Sequence, residues 1–111
     1  MSEAVDRLLD SDEAALCGPI LTELRRGLRS PADRTQVLPL LAGCHLLEQP
    51  AALWDEAGDL GYFLGRKGAA VKSLDLLIAT YALGHGVAIL TGDVDFRAMQ
   101  RAGVRLLLAE P

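Results

Sequence analysis

The stretch KSLDLLIATYALG at residues 72–84, continued by VAILTGDVDF at residues 87–96, decides the fold of this chain. Apolar residues recur at helical spacing through the first part, so we predict a helix with one face packed inward. The apolar run that opens the second part predicts a short strand, buried on both faces of a parallel sheet. One carboxylate, Asp75, lies at the start of the helix, and two more, Asp93 and Asp95, follow the strand.

These three carboxylates are candidate metal ligands. Ser73 is the predicted N-cap, which places Asp75 in the first helical turn, where the helix dipole favours negative charge. Asp93 and Asp95 follow the carboxyl end of a strand, where open α/β sheets bind ligands. Because neighbouring carboxylates raise each other's pKa, a fold that gathers them usually does so around a divalent cation. Purely structural roles remain open as well. In that alternative, Asp75 does no more than start a helix, and Asp93 does no more than form a turn or cap the next helix.

The same stretch resembles the C-terminal half of a PIN domain, most closely the VapC-type toxin ribonucleases. That family has an Asp followed by Leu-Ile-Ala at a helix start, which corresponds to DLLIA at residues 75–79. Its Thr-x-Asp-x-Asp-Phe loop corresponds to TGDVDF at residues 91–96. Upstream, CGPILTELRRG at residues 17–27 resembles the strand-to-helix turn of the family, whose acidic ligand corresponds to Glu23. The segment GVRLL at residues 103–107 fits the last strand of the family.

The resemblance implies a PIN-like (Rossmann-like) three-layer α/β/α fold with a short parallel sheet, formed by a single domain over residues 1–111. It also implies an endoribonuclease that needs Mg²⁺ or Mn²⁺ and hydrolyses RNA phosphodiesters. Glu23, Asp75 and Asp93 would be the catalytic residues, and together with Asp95 they would hold the metal. Thr91 would support the site by a hydrogen bond to a carboxylate or a water. The implied partners are an RNA substrate and a VapB-like antitoxin. We also expect a homodimer with a second copy of the chain.

The N-terminal region departs from the family pattern. PIN domains open with a hydrophobic strand that ends in an Asp, whereas residues 3–11 predict an amphipathic helix with an apolar stripe of Val5, Leu8 and Leu9. We therefore expect the first strand and its Asp to be absent, with weaker metal binding and reduced or lost activity. An alternative function is a non-catalytic PIN domain that binds an antitoxin-like protein. A third is a metal-independent α/β scaffold whose acidic residues are caps and turns.

Composition and charge are consistent with one small domain. Half of the 111 residues are apolar, which suffices for a single core, and the sequence predicts neither a membrane span nor a signal peptide. Cys17 and Cys44 lack paired-ligand spacing, so we predict reduced thiols in a cytoplasmic protein.

The distribution of basic residues is uneven. The net charge of −4 disfavours non-specific binding to nucleic acid. Two basic groups nevertheless flank the proposed ligands Glu23 and Asp75, namely Arg25, Arg26 and Arg29, and Arg66, Lys67 and Lys72. They predict a positive rim around an acidic pocket, or else a solvated helix face at Arg25 and Arg29.

Helices and short strands alternate in the predicted order, which is typical of an α/β protein. The predicted helices lie at residues 3–11, 20–28, 33–43, 51–65, 73–84 and 95–102. The predicted strands lie at residues 14–18, 45–47 and 87–90 and from residue 104 onward.

Overall fold

A computed structural model describes residues 3–111 of the chain. The chain divides into two compact units, Met1–Glu48 and Gln49–Pro111. Each unit combines helices with a two-stranded parallel sheet. The prediction of one domain over residues 1–111 stays a prediction. Within the described residues, no helix is both long and apolar enough to cross a membrane.

The first unit contains three helices and one strand pair. The elements are α1 (Glu3–Asp10), β1 (Ala15–Leu16), α2 (Gly18–Gly27), α3 (Pro31–Ala42) and β2 (His45–Leu46). Strands β1 and β2 are parallel, with Ala15 opposite His45. Helix α3 begins with a side-chain cap, because the Ser30 hydroxyl accepts a hydrogen bond from the Asp33 N–H at 3.0 Å.

The second unit contains three helices and the other strand pair. The elements are α4 (Leu53–Arg66), α5 (Ser73–His85), β3 (Ile89–Leu90), α6 (Val94–Arg101) and β4 (Leu108–Ala109). Helix α5 packs against both α4 and α6. The buried apolar side chains of this unit include Leu53, Ala57, Leu64, Leu76, Ile78, Ala79, Tyr81, Phe96, Met99 and Leu106. The first turns of α5 bury both apolar and polar side chains, including Asp75.

The sheets are smaller than the sequence predicts. Among residues 3–111 the strands form two separate parallel pairs, β1–β2 and β3–β4, each two residues long. The prediction of a strand over residues 87–90, buried on both faces, is wrong, since β3 begins at Ile89 and is only half-buried. The Val87 N–H instead donates to the carbonyl of Ala82, next to a left-handed Gly86 with φ 64°. Val87 is therefore part of the turn that closes α5.

Three further element ends differ from the predictions. Lys72 is the N-cap of α5, and Ser73 is already helical, so the predicted N-cap is wrong. The last strand begins at Leu108 instead of Val104, because the N–H of Val104 donates to the carbonyl of Met99 and completes the turn after α6. The predicted helix after Pro50 begins two residues later than expected, since the Leu53 N–H first closes a turn onto the Pro50 carbonyl.

The two cysteines are free thiols in the described part of the chain. Cys17 does not lie in a strand as predicted but at the N-cap of α2, where burial raises the pKa of its thiol. Cys44 follows α3 and is half-buried. The prediction of reduced thiols in a cytoplasmic protein stays a prediction.

We expect the packing of α4 against α5 to dominate the stability of the second unit. Leu64 is fully buried, so Leu64→Ala should lower the free energy of unfolding by about 2–5 kcal/mol. Leu83 on α5 is 41% exposed and provides the matched control, for which Leu83→Ala should cost far less. Urea denaturation followed by circular dichroism measures both, and equal losses for the two variants would contradict this packing.

Candidate metal centre

Three carboxylates of the second unit converge. Asp75 lies in the first turn of α5, Asp93 is the N-cap of α6, and Asp95 lies in the first turn of α6. One oxygen from each carboxylate lies within 4.8 Å of the others. The chain therefore brings together three of the predicted site residues at the starts of two packed helices.

Asp75 is the buried member of this cluster. The residue is 7% exposed, and its Oδ2 atom has no hydrogen-bond partner among the described residues. Burial raises the pKa of the Asp75 carboxyl, and the neighbouring charge of Asp93 raises it further, while the ammonium group of Lys72 lowers it. Asp95 also raises this pKa, through its charge and through a hydrogen bond between the two carboxyl side chains. An ionised Asp75 is thus costly by itself, and a bound cation would compensate that cost.

Asp93 and Asp95 are fixed by local hydrogen bonds. The side chain of Asp93 accepts a hydrogen bond from the Asp95 N–H at 2.9 Å, which caps α6. The Asp93 N–H in turn donates to the hydroxyl of Thr91 at 2.9 Å. Asp93 is exposed and Asp95 is half-buried, so the cluster reaches from the interior to the surface. The predicted capping role of Asp93 is confirmed, and the Thr91 hydroxyl fixes the backbone of Asp93 by accepting its N–H.

Comparison with known proteins assigns the chain to a family. A family model for the PIN domain matches residues 1–102. The chain belongs to the PIN domain family. The crystal structure of VapBC2 from Rickettsia felis bound to a DNA fragment from their promoter contains a chain with a similar fold. The two chains superpose with a TM-score of 0.76 and are 22% identical in sequence, and the match covers 96% of this chain and 81% of the VapBC2 chain. No curated protein matches this sequence. The predicted membership and the PIN-like α/β fold are confirmed.

Glu23 of this PIN domain lies on α2 in the first unit. Its carboxylate is exposed and lies 3.6 Å from the guanidinium of Arg26, one turn further along the helix. Its role as a ligand stays a prediction.

The basic residues occupy several environments. Arg25, Arg26 and Arg29 are exposed, but only Arg25 and Arg26 lie on α2, so the predicted helix face does not extend to Arg29. Arg66 and Lys67 lie over the rings of Tyr62 and Phe63. The charge of Lys72 acts on the Asp75 carboxyl. A positive rim around the pocket stays a prediction.

The donor set fits a divalent cation. Carboxylate oxygens are hard ligands of the kind that Mg²⁺ prefers, and Mg²⁺ usually takes one or two carboxylates and keeps several waters. The unpartnered Oδ2 of Asp75 offers a buried ligand atom, and the exposed Asp93 leaves room for waters or substrate. Sequence reasoning identified these residues but did not reveal that Asp75 has a buried oxygen without a partner, since that depends on how α4 and α6 cover α5.

In the absence of metal, the Asp75 carboxylate should destabilise the fold at neutral pH. Because the folded-state pKa of this carboxyl is raised, its protonated form favours folding at low pH, and this contribution is lost as pH rises through the raised pKa. Asp75→Asn removes the charge, so its melting temperature in EDTA should exceed that of the wild type at pH 7. The difference should shrink as pH falls towards the usual range of an aspartate.

Thermal melts from pH 4 to pH 8 measure this difference. Asp10→Asn is the control, because Asp10 is exposed at the end of α1 and its replacement should change stability by less than about 0.5 kcal/mol. A melting temperature of Asp75→Asn below that of the wild type at every pH would contradict the assignment.

Proposed function

We propose that this PIN domain is a metal-dependent endoribonuclease of the VapC toxin type that hydrolyses RNA phosphodiesters. The observation that carries the proposal is the buried, unpartnered Oδ2 of Asp75 in a cluster with Asp93 and Asp95. Membership in the PIN domain family supports a nuclease in general. The likeness in fold to a chain of the VapBC2 complex supports the toxin type.

In this proposal, Asp75, Asp93 and Asp95 would hold Mg²⁺ or Mn²⁺, and Glu23 stays a predicted further ligand. When bound, the cation supplies a Lewis acid that activates water for in-line attack and stabilises charge on the phosphate oxygens. Asp75 provides a fixed anionic ligand at the buried end of the site, and Asp93 provides one at the solvent-exposed end. Thr91 and the Asp95 N–H hold Asp93 in one orientation, which reduces the entropy lost on binding.

We also propose the partners and the location of the protein. A VapB-like antitoxin would bind this domain, as the pairing in the VapBC2 complex suggests. A second copy of the chain would form a homodimer. The protein would act in the cytoplasm, where its two thiols stay reduced.

RNA cleavage tests the proposed reaction. The purified chain should cut a generic single-stranded RNA in Mn²⁺ and not in EDTA, and Asp93→Asn should lose at least about 100-fold in rate. Asn is as good an N-cap as Asp, so this variant keeps the α6 cap while removing a charged ligand. Asp10→Asn should cut at the wild-type rate. Cleavage that persists in EDTA or in Asp93→Asn would contradict the proposed site.

Metal-dependent stabilisation separates the proposed site from a metal-free scaffold. A cation that binds only the folded state raises stability by about 2.7 kcal/mol at a hundredfold excess over its dissociation constant. Mn²⁺ should therefore raise the melting temperature of the wild type and leave that of Asp75→Asn and Asp93→Asn unchanged. A shift that is equal in all three proteins would exclude these carboxylates as ligands. A wild-type shift without RNA cleavage would favour the non-catalytic alternative, in which the domain only binds a protein partner.

A further inference from the structure

The loop that carries Asp93 is tied to strand β4. This loop, residues 91–93, connects β3 to α6. The Thr91 N–H donates to the carbonyl of Ala109, the last residue of β4, at 3.0 Å. The Thr91 hydroxyl then accepts the Asp93 N–H, and the Asp93 carboxylate accepts the Asp95 N–H. Hydrogen bonds therefore connect β4 to two carboxylates of the candidate metal centre.

Strand β4 is weakly anchored by its own pairing. It pairs with β3 over two residues, with Ile89 opposite Leu108 and Leu90 opposite Ala109. Leu108 is half-buried, and Ala109 is exposed. Because a two-stranded pair this short is marginally stable in water, β4 needs further contacts to stay in place.

Two side chains of α6 supply such contacts. The Arg97 guanidinium donates to the carboxylate of Glu110, directly after β4, at 2.6 Å. The Gln100 side-chain amide donates to the carbonyl of Leu106, shortly before β4, at 2.8 Å. Arg97 and Gln100 are three residues apart, so they share one face of the helix. Arg97, Gln100 and Glu110, which we call the α6 clamp, thus hold β4 at both of its ends.

We propose that Arg97 and Glu110 are positioning residues for the candidate metal centre. Their ion pair keeps β4 against α6, and β4 in turn fixes Thr91 through the Ala109 carbonyl. Thr91 then holds Asp93 in the orientation that binds the cation. Neither member of the pair needs to touch the cation or the substrate. The inference rests on the proposed function, since it concerns the same metal centre.

A direct effect of the Arg97 charge on the cation would have the opposite sign. Arg97 lies one helical turn after Asp93, so its positive charge repels a cation bound at the cluster. Removal of that charge alone would therefore tighten metal binding. In the α6 clamp, the same removal loosens β4 and the loop at residues 91–93, and metal binding then has to order them again at a cost in free energy. The direction of the change separates positioning from simple charge.

The exposure of the ion pair limits its contribution. The side chain of Arg97 is 44% exposed, and that of Glu110 is 79% exposed. An exposed pair adds little to global stability, so its loss should leave the melting temperature of the metal-free protein almost unchanged. The same small free energy changes metal affinity by about fivefold at most. The α6 clamp therefore acts on the site and not on the whole fold.

Titration with Mn²⁺ tests the α6 clamp, with the free ion followed by electron paramagnetic resonance. Arg97→Gln and Glu110→Ala should each raise the Mn²⁺ dissociation constant about threefold to fivefold. The charge swap Arg97→Glu with Glu110→Arg should recover most of the lost affinity, because it forms the pair again at the same net charge. Arg101→Gln is the matched control, since it removes the same charge from the last turn of α6 outside the clamp and should not weaken binding.

Amide hydrogen exchange in EDTA gives a second readout that needs no metal. The Thr91 N–H should exchange faster in Arg97→Gln than in the wild type or in Arg101→Gln, because its acceptor, the Ala109 carbonyl, is then held less firmly. Amides of α5 should exchange at the wild-type rate in both variants, which shows that the fold is intact.

Two results would overturn this inference alone. One is a wild type that binds Mn²⁺ while Arg97→Gln binds it equally well or more tightly. The other is an exchange rate of the Thr91 N–H that Arg97→Gln does not change. A wild type that binds no Mn²⁺ would overturn the proposed metal centre and the positioning role with it. The two failures are distinguishable, because only the failure of the metal centre is visible in the wild type.

Discussion

The candidate site depends on the burial of one carboxylate beside two others. Packing of α5 against α4 and α6 removes Asp75 from solvent and leaves its Oδ2 without a partner among the described residues. At neutral pH, burial of the ionised Asp75 carboxylate costs free energy, and only a cation or a proton that neutralises the charge removes this cost. The desolvation of Asp75 therefore explains both why its carboxylate is unfavourable without a cation and why we expect it to attract one.

The local structure that forms the site also holds it in place. Both Asp75 and Asp95 lie in first helical turns, and Asp93 caps the second helix. The backbone N–H groups and dipoles of helix starts favour negative charge, so each carboxylate has a local reason to lie there. Capping and metal binding are consequently compatible roles for Asp93. The helix-start, turn and capping roles explain where these carboxylates lie. They do not explain why Asp75 has a buried oxygen without a partner.

Sequence patterns predicted the elements well and their ends less well. Helices α1 to α6 each lie within two residues of the predicted position, because apolar spacing and capping residues are local signals. Strand lengths were overestimated, because Val87 and Val104 have high β propensity but their N–H groups close the turns at the ends of α5 and α6. The positions of Asp75, Asp93 and Asp95 in the sequence made them candidate ligands, and the resemblance to PIN domains added Glu23. The burial of Asp75 was not predictable, because it arises from tertiary packing that no local pattern records.

Crystals of the chain grown with Mn²⁺ and measured at the manganese absorption edge would test the site most directly. We predict an anomalous density peak within about 2.0–2.4 Å of oxygen atoms of Asp75 and Asp93, at the distances typical of hard divalent cations. The same map would show whether Glu23 and Asp95 are ligands. A map without a peak at this cluster, with Asp75 protonated and hydrogen-bonded to a neighbouring carboxylate, would contradict the proposal that these residues form a metal centre.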